Sequence, residues 1–121
     1  MTKYKASNLL ASFEFATKGL LIALKSQRNF RIDLIIGAIV LIVAVFLRFS
    51  FLEMAVLVLI IGFMLFAELI NTVIEFIVDA YFGNKYSILA KMAKDISAGA
   101  VLISAIVSII AGLLLFLPKI F

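Results

Sequence analysis

Residues 54–78 read MAVLVLIIGFMLFAELINTVIEFIV, an apolar run interrupted by Glu68, Asn71 and Glu75. At 1.5 Å per residue, crossing a hydrocarbon core of about 30 Å takes about 20 residues. The stretch is therefore long enough and apolar enough to be a membrane-spanning helix. A charged side chain at bilayer depth costs about 2.5–3.5 kcal/mol on insertion scales. Two carboxylates in one short span imply a task for them, and where they point is the main functional question.

Two further spans flank this one. Residues 34–52 (LIIGAIVLIVAVFLRFSFL) form the first and residues 96–117 (ISAGAVLISAIVSIIAGLLLFL) the third, which Pro118 is expected to stop. Arg48, near the far end of the first span, can snorkel outward. A very short connector makes the first two spans an antiparallel hairpin. The second connector, 80–90, carries the turn formers Gly83 and Asn84. Gly37, Gly62, Ala98, Gly99, Ser104, Ser108 and Gly112 are small residues within spans, and Ser97, Ser104 and Ser108 share one face. Such stripes let helices approach closely.

The first thirty residues differ in kind. Leu9, Leu10, Phe13, Ala16, Leu20 and Leu24 recur at helical spacing among Lys3, Lys5, Lys18, Lys25, Arg28 and Arg31. The pattern predicts an amphipathic helix on the membrane surface, the alternative being a helix packed on another protein. With Lys85, Lys91 and Lys94, nine basic residues fall on one side of the membrane and two, Arg48 and Lys119, on the other. The positive-inside rule then puts the N-terminus and the second connector in the cytoplasm.

Composition agrees: 66% of the 121 residues are hydrophobic and mean hydropathy is +1.29, against roughly 45–50% apolar in soluble domains. The expected fold is all-α, a single membrane domain over residues 1–121. Cys and His are absent, which excludes disulfides and thiolate or imidazole metal sites and leaves Asp, Glu, Lys and Tyr for acid–base work. The net charge of +4 lies beside apolar spans, so anionic headgroups or phosphates are better partners for it than nucleic acid.

On the second span Glu68, Thr72, Glu75 and Asp79 lie along one polar stripe with Asn71 at its flank. Glu68 is the deeper carboxylate and Glu75 lies about 10 Å nearer the cytoplasm. Bonding between helices could account for Asn71 and Thr72, and a solvated helix end for Glu75 and Asp79. Glu68, at its depth, suits a proton acceptor. The start of the third span carries Lys91, Lys94, Asp95 and Ser97. Lys94 can pair with phosphate oxygens as a point charge. Carboxylates completed by water and phosphate suit Mg²⁺. No soluble-type nucleotide motif is present.

The string ELINTVIE at 68–75, followed by Val78-Asp79, resembles the ELLNTAIE…VD signature of the bacterial membrane diacylglycerol kinase and undecaprenol kinase family. AKDISAGAVL at 93–102 resembles its second signature, and RNFRI at 28–32 is similar to a third segment. The resemblance implies three transmembrane helices, a surface helix and a homotrimer in the bacterial cytoplasmic membrane. The activity implied is transfer of the ATP γ-phosphate to a lipid hydroxyl with Mg²⁺. Position by position, Glu68 matches the catalytic base and Glu75 a metal ligand near the ATP phosphates. Lys94 and Asp95 match nucleotide contacts, with Tyr86 as a further candidate, and Asn71 matches a residue that orders the site. Phe30, Arg31 and Asp33 lie where the lipid enters, with Ala98 on the lipid side. One departure concerns Gln27, where many members carry a Glu that shares the metal. Its amide supplies an oxygen without charge, which leaves water, phosphate or Glu14 to fill the gap.

The undecaprenol branch is the closer match, on Ser97-Ala98-Gly99 and Arg28-Asn29. Two alternatives stand beside the kinase. A proton- or cation-coupled transporter or channel subunit would use Glu68 as a relay, but the wholly apolar 54–67 stretch offers no path onward. A non-catalytic assembly partner leaves the glutamate stripe and Lys94-Asp95 without a role.

Overall fold

The computed structural model describes residues 7–121. Lys3, Lys5 and the first residues of the expected surface helix lie outside them. Four helices follow in order: α1 (Leu9–Ser26), α2 (Arg28–Phe46), α3 (Phe51–Phe82) and α4 (Ile88–Ile120). The last three are long and apolar enough to cross a membrane.

The α1–α2 boundary is a single residue. Gln27 is extended (φ −113°, ψ 107°), which breaks an otherwise continuous helix. Arg31 then reaches back, and its Nη1 donates to the carbonyls of Leu24 and Lys25 at 2.9 and 3.0 Å. These are terminal carbonyls with no intrahelical partner, so Arg31 caps α1. At the other end of α1 the Asn8 side chain accepts from the Ala11 N–H at 2.9 Å.

The first crossing helix is offset from its expected 34–52. It starts at Arg28 and stops at Phe46. Arg48 adopts φ 59°, and the Arg48 and Phe49 N–H groups donate back to Val45 and Ala44. This is a Schellman stop with arginine in the left-handed position that glycine normally fills. No Gly or Pro announces it, so the apolar run reads straight through. Phe51 and Leu52 belong instead to α3, with Ser50 as its N-cap. Ser50 accepts from the Glu53 N–H, and the Glu53 side chain accepts from the Ser50 N–H at 3.0 Å, a closed capping box.

α3 has 32 residues and α4 has 33, about 48–50 Å each. Both are longer than the thickness of a hydrocarbon core of about 30 Å. Gly83, at φ 61°, ends α3. Pro118 does not stop α4 as expected. It sits in the last turn, and the helix continues to Ile120, where a missing N–H bond costs only fraying.

α3 and α4 pair antiparallel along most of their length, and polar contacts mark the register. From one end to the other these are Glu53–Lys119 at 3.0 Å, Met64–Ser104 at 3.4 Å, Asn71–Ser97, and Asp79–Lys94 at 2.6 Å. Ser97 and Ser104 are buried at this contact, as their shared face predicts. Ser104 satisfies its hydroxyl on the Val101 carbonyl at 2.7 Å. α2 joins through Gly37, where a Cβ would lie 2.9 Å from Ile61 Cγ2. Gly62, Gly99 and Gly112 meet nothing within 4 Å, so among the glycines only Gly37 serves close approach within this chain. Among the described residues, the buried hydrophobic side chains are few, namely Ala23, Phe30, Ala44, Leu57 and Val78. The remaining apolar surface faces outward, as a membrane solvent allows.

Candidate active site

α3 carries the polar stripe inward. Glu68 is 4% exposed and Thr72 5%. The Thr72 hydroxyl donates to the Glu68 carbonyl at 2.8 Å and is satisfied within its own helix. The Glu68 carboxylate makes no hydrogen bond among the described residues, although Asp33 of α2 and Glu75 lie within electrostatic reach of it. A carboxylate on a largely buried residue, with no protein donor, is left available to a ligand hydroxyl. Asp33 contributes a similar group. Its Oδ2 is buried without a partner, at the edge of an apolar cleft of 350 Å³ between α2, α3 and α4.

One to two turns along α3, Asn71 Nδ2 donates to Glu75 Oε1 at 3.2 Å. The Ser97 hydroxyl donates to Asn71 Oδ1 across the helix pair. Asn71 thus ties Glu75 to α4. Beyond it a cleft of 290 Å³ opens between the end of α3 and the start of α4. Lys94, Asp95 and Tyr86 all line it, together with Asp79, Lys91 and Lys85. Two ion pairs cross or flank this cleft, Lys94–Asp79 at 2.6 Å and Lys91–Asp95 at 2.5 Å.

The remaining expected site residues lie outside α3. Gln27 sits at the α1–α2 break, where its Nε2 donates to Ser26 Oγ at 3.3 Å; no hydrogen bond joins it to Glu75. Glu14 pairs with Lys18 on exposed α1 at 3.1 Å. Phe30 is buried and Arg31 is occupied in capping α1, while Ala98 is exposed on α4. The Asp79–Lys94 and Lys91–Asp95 pairs were not foreseen. Lys91 and Asp95 are four apart on one helix, a spacing that favours pairing. Asp79 and Lys94 meet only once the register of α3 against α4 is known.

The donor set is oxygen only, which is the chemistry of a hard cation. No group of three or more acidic side chains converges among the described residues. One carboxylate completed by phosphate and water is ordinary for Mg²⁺, so the residues present fit that ion.

Three crossing helices, a carboxylate turned inward on the middle one and a charged cleft at one end define an integral-membrane protein with its polar groups concentrated near one face. A family model described as prokaryotic diacylglycerol kinase matches residues 14–116. The chain is 44% identical to a diacylglycerol kinase of Synechocystis sp. over 113 residues, which is 93% of this chain and 65% of that one. It is 42% identical to an undecaprenol kinase of Bacillus subtilis over 108 residues, 89% of this chain and 87% of the relative. The chain belongs to the prokaryotic diacylglycerol kinase family. It spans just under two thirds of the length of the Synechocystis relative.

Proposed function

We propose that this protein phosphorylates the hydroxyl of a membrane lipid alcohol, undecaprenol or diacylglycerol, at the cytoplasmic face, with ATP as donor. The observation that carries this reading is that α3 bears both the inward Glu68 and, about one and two turns on, the bonded Asn71 and Glu75 that lead to the Lys94–Asp95 cleft. A hydroxyl held at headgroup depth meets the first, and a nucleotide entering from the cytoplasm meets the second. Family membership supports both halves.

In this mechanism Glu68 accepts the proton of the lipid hydroxyl. The freed oxygen attacks the γ-phosphorus, a new O–P bond forms, and the bond to the bridging oxygen of ADP breaks. Phosphoryl transfer depends mainly on positioning and charge neutralisation. Lys94 supplies a positive charge toward the phosphates, and Asp95 and Tyr86 contact the nucleoside. Glu75, completed by water and phosphate oxygens, would hold Mg²⁺, which when bound neutralises phosphate charge. Asn71 fixes the carboxylate of Glu75. Asp33, Phe30, Arg31 and Ala98 border the path of the lipid, Arg31 by fixing the end of α1. A homotrimer would shield the outward faces of α3 and α4 and close the site from lipid.

The test is a transfer assay in mixed micelles with undecaprenol and diacylglycerol side by side and Mg-ATP. Radiolabel from the γ-phosphate in either lipid supports the reading. Label in neither overturns it.

A further inference from the structure

We infer that Asp79 is a positioning residue for the nucleotide: it holds the Lys94 ammonium at the mouth of the α3–α4 cleft and keeps it off Glu75. The inference rests on the reading of Lys94 and Glu75 as phosphate and metal contacts.

Lys94 has two carboxylates available to it on α3. Asp79 is in contact at 2.6 Å; Glu75, one turn deeper, also lies within electrostatic reach. A lysine is a flexible point charge that takes the nearest acceptor. Without Asp79 the nearest acceptor on α3 is Glu75, whose carboxylate is otherwise bonded among the described residues only by Asn71. A Lys94–Glu75 pair would cancel the negative charge that a cation needs and withdraw the positive charge that phosphate needs.

The Asp79–Lys94 pair is poorly placed to act as a structural anchor. Its side chains are 61% and 44% exposed, and exposed pairs contribute little to stability. The contrast is at the far end of the same helix pair, where Glu53–Lys119 is 28% and 29% exposed and is built into a cap. Orientation of Lys94 is what remains for Asp79 to do. It also lines the cleft itself, beside Lys94 and Asp95.

The test is equilibrium binding of a non-hydrolysable ATP analogue to the full chain in detergent micelles, with and without Mg²⁺, beside thermal unfolding. Asp79→Asn should weaken Mg-dependent binding about fivefold, a common size for coupling between contacting groups. Asp79→Glu should restore most of it. The unfolding midpoint should stay within a few degrees of the parent. The deciding variant is Asp79→Asn with Lys94→Gln: it should bind like Lys94→Gln alone, because Asp79 acts through that lysine. An additive loss in the double variant overturns the inference, and so does unchanged binding in Asp79→Asn when Lys94→Gln is weakened. If Lys94→Gln itself binds normally, the nucleotide reading of the cleft fails along with the inference.

Discussion

Ser97 on α4 donates its hydroxyl to the side-chain oxygen of Asn71 on α3, and that leaves the Asn71 amide N–H₂ free to bond Glu75. The pair fixes the amide orientation and, through it, one oxygen of the carboxylate proposed to meet the metal. Partners that orient ligands in this way are typically worth about 10–100-fold in metal affinity or activity. Asn71→Ala should therefore raise the Mg²⁺ concentration for half-maximal turnover about tenfold. A Mg²⁺ titration of the variant in micelles measures this directly. An unchanged titration would separate Asn71 from Glu75 in function.

At the opposite end of the helix pair, Lys119 reaches Glu53 at 3.0 Å and lies 5.8 Å from the Phe49 ring. Phe49 in turn packs on Phe116 with centroids 4.8 Å apart. This cluster joins the start of α3 to the end of α4, far from the proposed chemistry. Lys119→Ala should cost about 1 kcal/mol of stability and leave turnover per folded molecule unchanged. Denaturant midpoints and initial rates on the same preparation check both halves.

Gly37 touches Ile61 so closely that any side chain there must displace it. Gly37→Val should destabilise the α2–α3 pairing by about 1–3 kcal/mol, the usual cost of overpacking. Ile61→Ala in the same chain should recover much of that loss, because it vacates the space the new methyls need. A lack of rescue would show that backbone freedom, and not contact with Ile61, is what Gly37 supplies.

Much of this architecture could be read from residue order. The three crossings, the polar stripe from buried Glu68 out to exposed Asp79 and the serine face of α4 follow from hydropathy and helical periodicity, which local sequence carries. The limits of the first crossing could not be read in the same way. Its stop is made by Arg48 in a left-handed conformation, and arginine in an apolar run gives no signal for that. The box Ser50–Glu53 was visible as a pattern, but the apolar run across it masked it. Pro118 misled in the other direction, since a proline in the last turn removes little. The cleft was legible only in part. Lys94 and Asp95 stood out from their motif, whereas the pairing of Lys94 with Asp79 depends on how two long helices slide against each other. The Arg31 cap on the end of α1 depends on the helix break at Gln27, which no Gly or Pro announces.

The same Arg48 yields a stability prediction with a definite sign. A non-glycine residue at φ 59° carries about 1–2 kcal/mol of steric cost. Glycine removes that strain but loses about 0.5–1 kcal/mol through the freer unfolded chain. Arg48→Gly should therefore raise stability by about 0.5–1 kcal/mol. A lower unfolding midpoint would mean that the Arg48 side chain contributes more than its backbone costs.

Glu68→Gln is the most direct test of the central claim, that the buried α3 carboxylate takes the proton from the lipid hydroxyl. Turnover should be measured with lipid and Mg-ATP both saturating, alongside nucleotide-analogue binding. The account predicts a fall in kcat of about 10²–10⁴-fold with analogue binding preserved. A variant that transfers phosphate at the parent rate would contradict it.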